Sequence, residues 1–124
     1  MFKLLIVDDE EVIRRAISKR PIWPELGFSE IFTASGGHEA IKLIKNIQPH
    51  VVFTDIRMPQ IDGLEVLKFV KEHYPLIKCV ILSGYNDFEY ARKGMEYGAC
   101  AYILKPTDDF EIKKYSMKYW EALE

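Results

Sequence analysis

Lys3 to Val7 reads KLLIV, and the run stops abruptly at four acids, Asp8, Asp9, Glu10 and Glu11. A short apolar run without polar alternation predicts a strand buried on both faces. Working outward, four more runs share the pattern: EIFTA (Glu30 to Ala34), VVFT (Val51 to Thr54), CVIL (Cys79 to Leu82) and AYIL (Ala101 to Leu104). Between them lie stripes with helical spacing. Val12, Ile13, Ala16 and Ile17 form the first, and Ala40, Ile41, Ile44 and Ile47 the second. Leu64, Leu67, Val70 and Tyr74 form the third, Phe88, Ala91 and Met95 the fourth, with Gly98 as its stop. Ile112, Tyr115, Tyr119, Trp120 and Leu123 form the fifth. Apolar residues three and four apart share one helix face, and Pro21, Pro49 and Pro75 mark the stops of the first three. Strict strand–helix alternation predicts an α/β three-layer sandwich, a parallel sheet with helices on both faces.

Composition agrees with one domain over residues 1–124. The chain has 124 residues, 48% hydrophobic and 29% charged, which excludes a disordered chain. Seventeen Lys and Arg against nineteen Asp and Glu give a net charge of −2, which argues against direct nucleic acid binding. No apolar run approaches the roughly 20 residues needed to span a bilayer. Cys79 and Cys100 lie in or beside apolar runs without a C-x-x-C spacing, so buried free thiols in a cytoplasmic protein are expected. His38, His50 and His73 are scattered near element ends and read as surface or capping residues. Gly36-Gly37 lacks both common phosphate-binding glycine patterns.

In open parallel sheets the working site lies beyond the C-terminal strand ends. There the sequence places Asp8 and Asp9, Asp55, Ser83 and Lys105. Two carboxylates about 4 Å apart repel by about 4 kcal/mol at an effective dielectric of 20, so three gathered together call for a cation. Oxygen donors suit a hard divalent ion, Mg2+ before Zn2+. A carboxylate nucleophile at Asp55, a fixed charge at Lys105 and a hydroxyl at Ser83 describe phosphoryl transfer. Taken singly, Asp8 and Asp9 would cap a helix, Asp55 would open a turn and Lys105 would be solvated. Their agreement at four strand ends favours a site.

Four motifs carry a resemblance: LLIVDDE (Leu4 to Glu10), FTDIRMPQIDGLE (Phe53 to Glu65), ILSGY (Ile81 to Tyr85) and GACAYILKP (Gly98 to Pro106). Together they resemble the receiver (CheY-like) domain of two-component response regulators over essentially the whole chain. The resemblance implies a flavodoxin-like sheet of five parallel strands, order 2-1-3-4-5, with five helices. It implies that Asp55 accepts the phosphoryl group, and that Asp8, Asp9 and Asp55 hold Mg2+ with the backbone carbonyl of Arg57. Ser83 and Lys105 would contact the phosphoryl group, Tyr102 would be the aromatic switch, and the Lys105–Pro106 bond would be cis. Met58-Pro59 and Asp62-Gly63 would shape the loop leaving the third strand, with Gly63 free to take a positive φ.

RPIWPELGF (Arg20 to Phe28) and GYNDFEYAR (Gly84 to Arg92) look like receivers fused to AraC-type helix-turn-helix output domains. Trp23 and Phe28 are expected to pin the Pro-rich connection to the body. The implied partners are a sensor histidine kinase and an AraC-type DNA-binding output domain in the parent protein, outside this chain. A homodimer through the fourth helix, fifth strand and fifth helix is a further implication. The stretch KKYSMKYWEALE departs from the family's usual Leu and Ala, which bears on the extent of the fifth helix and on that surface.

Rival readings differ at single positions. A Mg2+-dependent phosphatase of the haloacid dehalogenase type wants a second Asp two residues after the nucleophile, where this chain has Arg57. A flavin module wants a Ser, Thr and Gly loop after the first strand, where this chain is acidic. A degenerate receiver acting by contacts alone would lack part of the acidic pocket. The reading is therefore a phosphorylation-dependent switch, with self-phosphorylation and slow hydrolysis as its only catalysis.

Overall fold

The structure, a computed structural model, describes residues 2–84, 88–105 and 108–114. Five strands alternate with five helices: β1 (Phe2–Val7), α1 (Glu11–Ser18), β2 (Phe28–Ala34), α2 (Gly37–Ile47), β3 (Val51–Asp55), α3 (Gly63–His73), β4 (Lys78–Ser83), α4 (Phe88–Glu96), β5 (Ala101–Leu104) and α5 (Asp109–Lys113). The strands pair in parallel in the expected order β2-β1-β3-β4-β5. The last four stripe residues expected for the fifth helix, and the extent of that helix, lie outside the described residues. No helix among the described residues is long and apolar enough to cross a membrane.

Alternation along each strand feeds two cores. Leu4, Ile6, Val51, Phe53, Val80 and Leu82 face one, closed by Ile17 of α1 and Ile112 of α5. Leu5, Val7, Val52 and Ile81 face the other, closed by Ala40 and Ile44 of α2 and Val66, Leu67 and Val70 of α3. Burial on both faces holds for the central strands only. β5 alternates between buried Ala101 and Ile103 and exposed Tyr102 and Leu104, because an edge strand has a helix over just part of its surface.

Two helical stripes are narrower than expected. Val12 is 81% exposed and Ala16 is also exposed, so α1 packs through Ile17 with Ile13 half-buried. On α4, Met95 is exposed, and the buried residues among those described are Ala91 and Gly94; the Phe88 side chain lies outside the description. A Cβ at Gly94 would stand 2.1 Å from Ile81 Cδ1, so α4 lies close against β4 through small residues. Gly98 does end this helix, at φ 101°, with Ala99 N donating to the Gly94 carbonyl.

The Pro-rich connection is pinned as expected. Trp23 is fully buried, donates its indole N–H to the Ile17 carbonyl at 2.8 Å, and meets Phe53 edge-on at 5.5 Å. At the opposite end of the sheet from the acids, His50 acts as a clasp. Its Nδ1 accepts from Lys3 N at 3.0 Å, its N donates to the Lys3 carbonyl, and its carbonyl accepts from Lys78 N. Cys79 and Cys100 are free, and they contribute to different cores on opposite faces of the sheet. Burial pushes the Cys79 thiol up to about 12.

Candidate functional site

Asp8 continues β1 by one residue, since its N donates to the Ala34 carbonyl of β2. It is fully buried. Its Oδ1 accepts from Glu10 N at 2.9 Å, and no side chain caps the start of α1. The acids are thus not spent on capping. Carboxylate oxygens of Asp8, Asp9 and Glu10 lie within 4.8 Å of one another, with Asp9 and Glu10 exposed. Neither Asp9 nor Glu10 has an ion-pair partner among the described residues.

Asp55 ends β3 and is 5% exposed. Its Oδ1 accepts from Ile56 N at 2.8 Å, which aims the other oxygen at Lys105. Lys105 Nζ lies 3.3 Å from Asp55 Oδ2 and 3.3 Å from Asp8 Oδ2. One ammonium from the end of β5 therefore bridges carboxylates from two other strands. Lys105 N donates to the Ser83 carbonyl at 2.8 Å, fixing the exit of β5 to that of β4. Ser83 is buried, and its hydroxyl contacts the Gly84 carbonyl at 3.3 Å.

In the loop after β3, Gly63 leaves that conformational freedom unused. Gly63 does not take a positive φ; Gln60 does, at 65°. What Gly63 supplies is space. A Cβ there would stand 2.4 Å from the Asp55 carbonyl oxygen and 2.7 Å from Ile56 Cα. Its N donates to the Ile56 carbonyl at 2.7 Å, while Asp62 caps α3 by accepting from Glu65 N. The start of α3 is thus pressed onto the segment that carries Asp55.

Burial raises Asp55 to about 6; Lys105 draws it down, and Asp8 pushes it up. Burial also draws the Lys105 ammonium down, but Asp55 and Asp8 outweigh it, and its net shift is upward. The site therefore carries more negative charge than its one ammonium offsets. Hard oxygen donors with uncompensated charge fit a divalent cation such as Mg2+.

Asp8, Asp55 and Lys105 are brought into direct contact, Asp9 stands beside Asp8, and Ser83 joins through the Lys105 backbone. Arg57 is exposed, with its guanidinium 5.3 Å from the Tyr90 ring centroid. Tyr102 is 39% exposed on β5, away from the acids' contacts. Pro106, expected to follow a cis bond, lies outside the described residues. Sequence reasoning missed three contributors. Arg14 Nη1 donates to the Asp8 carbonyl at 2.9 Å, buried Thr54 donates to the Asp55 carbonyl at 2.8 Å, and Tyr90 receives Arg57. The one available signal was Arg14 beside the apolar stripe of α1.

Comparisons with known proteins agree with this geometry. The family model described as response regulator receiver domain matches residues 4–116. The chain is 43% identical over 112 residues to the transcriptional regulatory protein YesN of Bacillus subtilis (strain 168), covering 90% of this chain and 30% of that protein. It is 40% identical over 115 residues to the transcriptional regulatory protein HptR of Staphylococcus aureus (strain N315), covering 91% and 44%. The chain thus spans less than half the length of these curated relatives. The REC domain of AraT, a response regulator from Geobacillus stearothermophilus, superposes with a TM-score of 0.89 at 34% identity, covering 98% of this chain and 95% of that one. A two-component transcriptional regulator AraC from Clostridium phytofermentans ISDg gives 0.87 at 32%, covering 99% and 95%. With the sheet order, the acidic strand ends and a family match over nearly its whole length in agreement, the chain belongs to the response regulator receiver domains.

Proposed function

We propose that this domain is a phosphorylation-dependent switch in a two-component phosphorelay, with Asp55 as acceptor. The observation that carries this reading is the bridge of Lys105 between Asp55 and Asp8 at 3.3 Å each. Asp8, Asp9 and Asp55, with the Arg57 carbonyl, would hold Mg2+. When bound, the ion supplies positive charge that offsets the phosphoryl oxygens.

Asp55 is positioned for attack because one oxygen is held by Ile56 N and the other faces Lys105. A carboxylate oxygen of Asp55 attacks phosphorus on the phosphohistidine of a sensor kinase. The P–N bond breaks as the P–O bond forms, and the imidazole leaves and takes up a proton. Lys105 then balances charge on the new acyl phosphate. The Ser83 hydroxyl turns from the Gly84 carbonyl toward the phosphoryl oxygens, and Tyr102 follows inward. Converting the Asp55 carboxylate to an acyl phosphate adds a net of about one negative charge and sets three acceptor oxygens beyond the strand end, which biases a two-state arrangement of the α4–β5 face. Similarity to AraT and to a two-component AraC regulator supports a parent protein that joins this switch to an AraC-type DNA-binding output domain. A homodimer through α4, β5 and α5 is the corresponding mode of output. The domain itself is not a turnover enzyme.

Incubation with Mg2+ and acetyl phosphate, read by intact-mass analysis, tests the reading. Wild type gains one phosphoryl group, and Asp55→Asn gains none. No mass gain in wild type, or the same gain in both proteins, would overturn it.

A further inference from the structure

Three hydrogen bonds close the turn between β1 and α1. Glu10 N donates to Asp8 Oδ1 at 2.9 Å, Arg14 N donates to the Glu10 carbonyl at 2.9 Å, and Arg14 Nη1 donates to the Asp8 carbonyl at 2.9 Å. Asp9 lies inside this loop and makes no hydrogen bond or ion pair of its own among the described residues. The Arg14 contact stands where the sheet would otherwise continue. Asp8 N already donates to the Ala34 carbonyl of β2, and one more parallel rung would bring Gly36 N to the Asp8 carbonyl. That rung is absent among the described residues, and half-buried Arg14 supplies the donor instead. Arg15, the next residue of α1, pairs with exposed Glu11, whereas Arg14 has no carboxylate partner among the described residues.

The Asp8 carbonyl and Asp9 N belong to one planar peptide group, which ends at the Asp9 Cα. A donor held on that carbonyl therefore sets the direction in which Asp9 leaves the strand. Resting on the metal site proposed above, we propose that Arg14 is a positioning residue for it: the guanidinium fixes the Asp8–Asp9 peptide plane and so holds the Asp9 carboxylate beside that of Asp8. Geometry and charge pull in opposite directions here. A cation near the acids repels Mg2+, so removing Arg14 for its charge alone would tighten the ion. Removing it as a positioning residue loosens the ion, because Asp9 is no longer presented.

Mg2+ titration followed by the amide resonances of residues 8–11 tests the proposal in wild type, Arg14→Met, Arg14→Lys, Asp9→Asn and the Arg14→Met/Asp9→Asn double variant. Met keeps an unbranched stem and a good helix former while removing both charge and donor. Arg14→Met should bind Mg2+ about tenfold more weakly, the lower end of what losing an outer-shell partner costs. Arg14→Lys, which keeps a donor, should recover most of that loss. On the Asp9→Asn background, Arg14→Met should cost less than about twofold more, since the carboxylate it places is gone. With acetyl phosphate, the Mg2+ concentration for half-maximal phosphorylation should rise in Arg14→Met, while the rate at saturating Mg2+ stays near wild type. Unchanged or tighter binding in Arg14→Met, or the full loss persisting on the Asp9→Asn background, would overturn the proposal. So would an Arg14→Met protein too unstable to titrate, which would make Arg14 a residue of the fold. Absence of Mg2+ binding in wild type overturns the metal site and this proposal with it. A wild type that binds Mg2+ but gains no phosphoryl group overturns the acceptor reading alone.

Discussion

β3 and β5 belong to one sheet and each ends beside a residue of the same site, yet they are built differently. All five residues of β3 are buried, with Phe53 wedged against Trp23 and Asp55 held by Ile56 N. β5 exposes every second residue, Tyr102 and Leu104. A nucleophile must be held in a fixed place, and a fully packed central strand does this. A responding element must move at little energetic cost, and a half-packed edge allows that. On the function proposed above, the contrast would put chemistry at the centre of the sheet and response at its rim.

The strongest way to break the contrast is to empty the centre. Phe53→Ala should cost about 3–5 kcal/mol in chemical denaturation, since it deletes a buried ring and its partner contact with Trp23. A loss below about 1 kcal/mol would mean β3 is no more tightly packed than β5. Gly63→Ala comes next, at about 1–3 kcal/mol, because its Cβ must displace the backbone at Asp55 and Ile56. That variant should also slow phosphorylation of Asp55 by acetyl phosphate, whereas wild-type kinetics would detach the α3 contact from the site.

The third effect has the opposite sign. Burial raises the folded Asp55 above its ordinary value of 3.8, to about 6. The unfolded chain therefore ionises first, and stability from this group is complete below about 3.8 and lost as pH rises through about 6. Metal-free Asp55→Asn should consequently be the more stable protein at pH 8, by on the order of 1–2 kcal/mol, with a flatter stability profile between pH 4 and pH 7. A parallel profile for the two proteins would place the raised group elsewhere. The smallest effect belongs to the rim. Tyr102→Ala should change stability by no more than about 0.5 kcal/mol while altering the response to beryllofluoride. A large destabilisation would show that β5 is core, not rim.

Much of this was legible because burial on both faces forces an unbroken apolar run, and a charged or hydroxyl residue closing such a run marks a strand end. Asp8, Asp55, Ser83 and Lys105 could be found that way. Other features depended on what lies across a gap. Val12 and Met95 carry apolar side chains at helical spacing, yet both lie exposed. The role of Gly63 is a distance to the Asp55 carbonyl, which no local φ rule conveys. Arg14 meets the Asp8 carbonyl only because the chain turns sharply between β1 and α1, and Tyr90 meets Arg57 only because α4 packs close on small residues. The buried faces write themselves into composition; contacts between loops do not.

The clasp at His50 decides where a disturbance can travel. Its three backbone and ring hydrogen bonds sew the starts of β1, β3 and β4 together. On the proposed function, a disturbance at the opposite rim would meet that seam closed along the strand axis and be turned sideways, toward α4 and β5. A receiver fastened at one end and charged at the other is a lever with its fulcrum already in place.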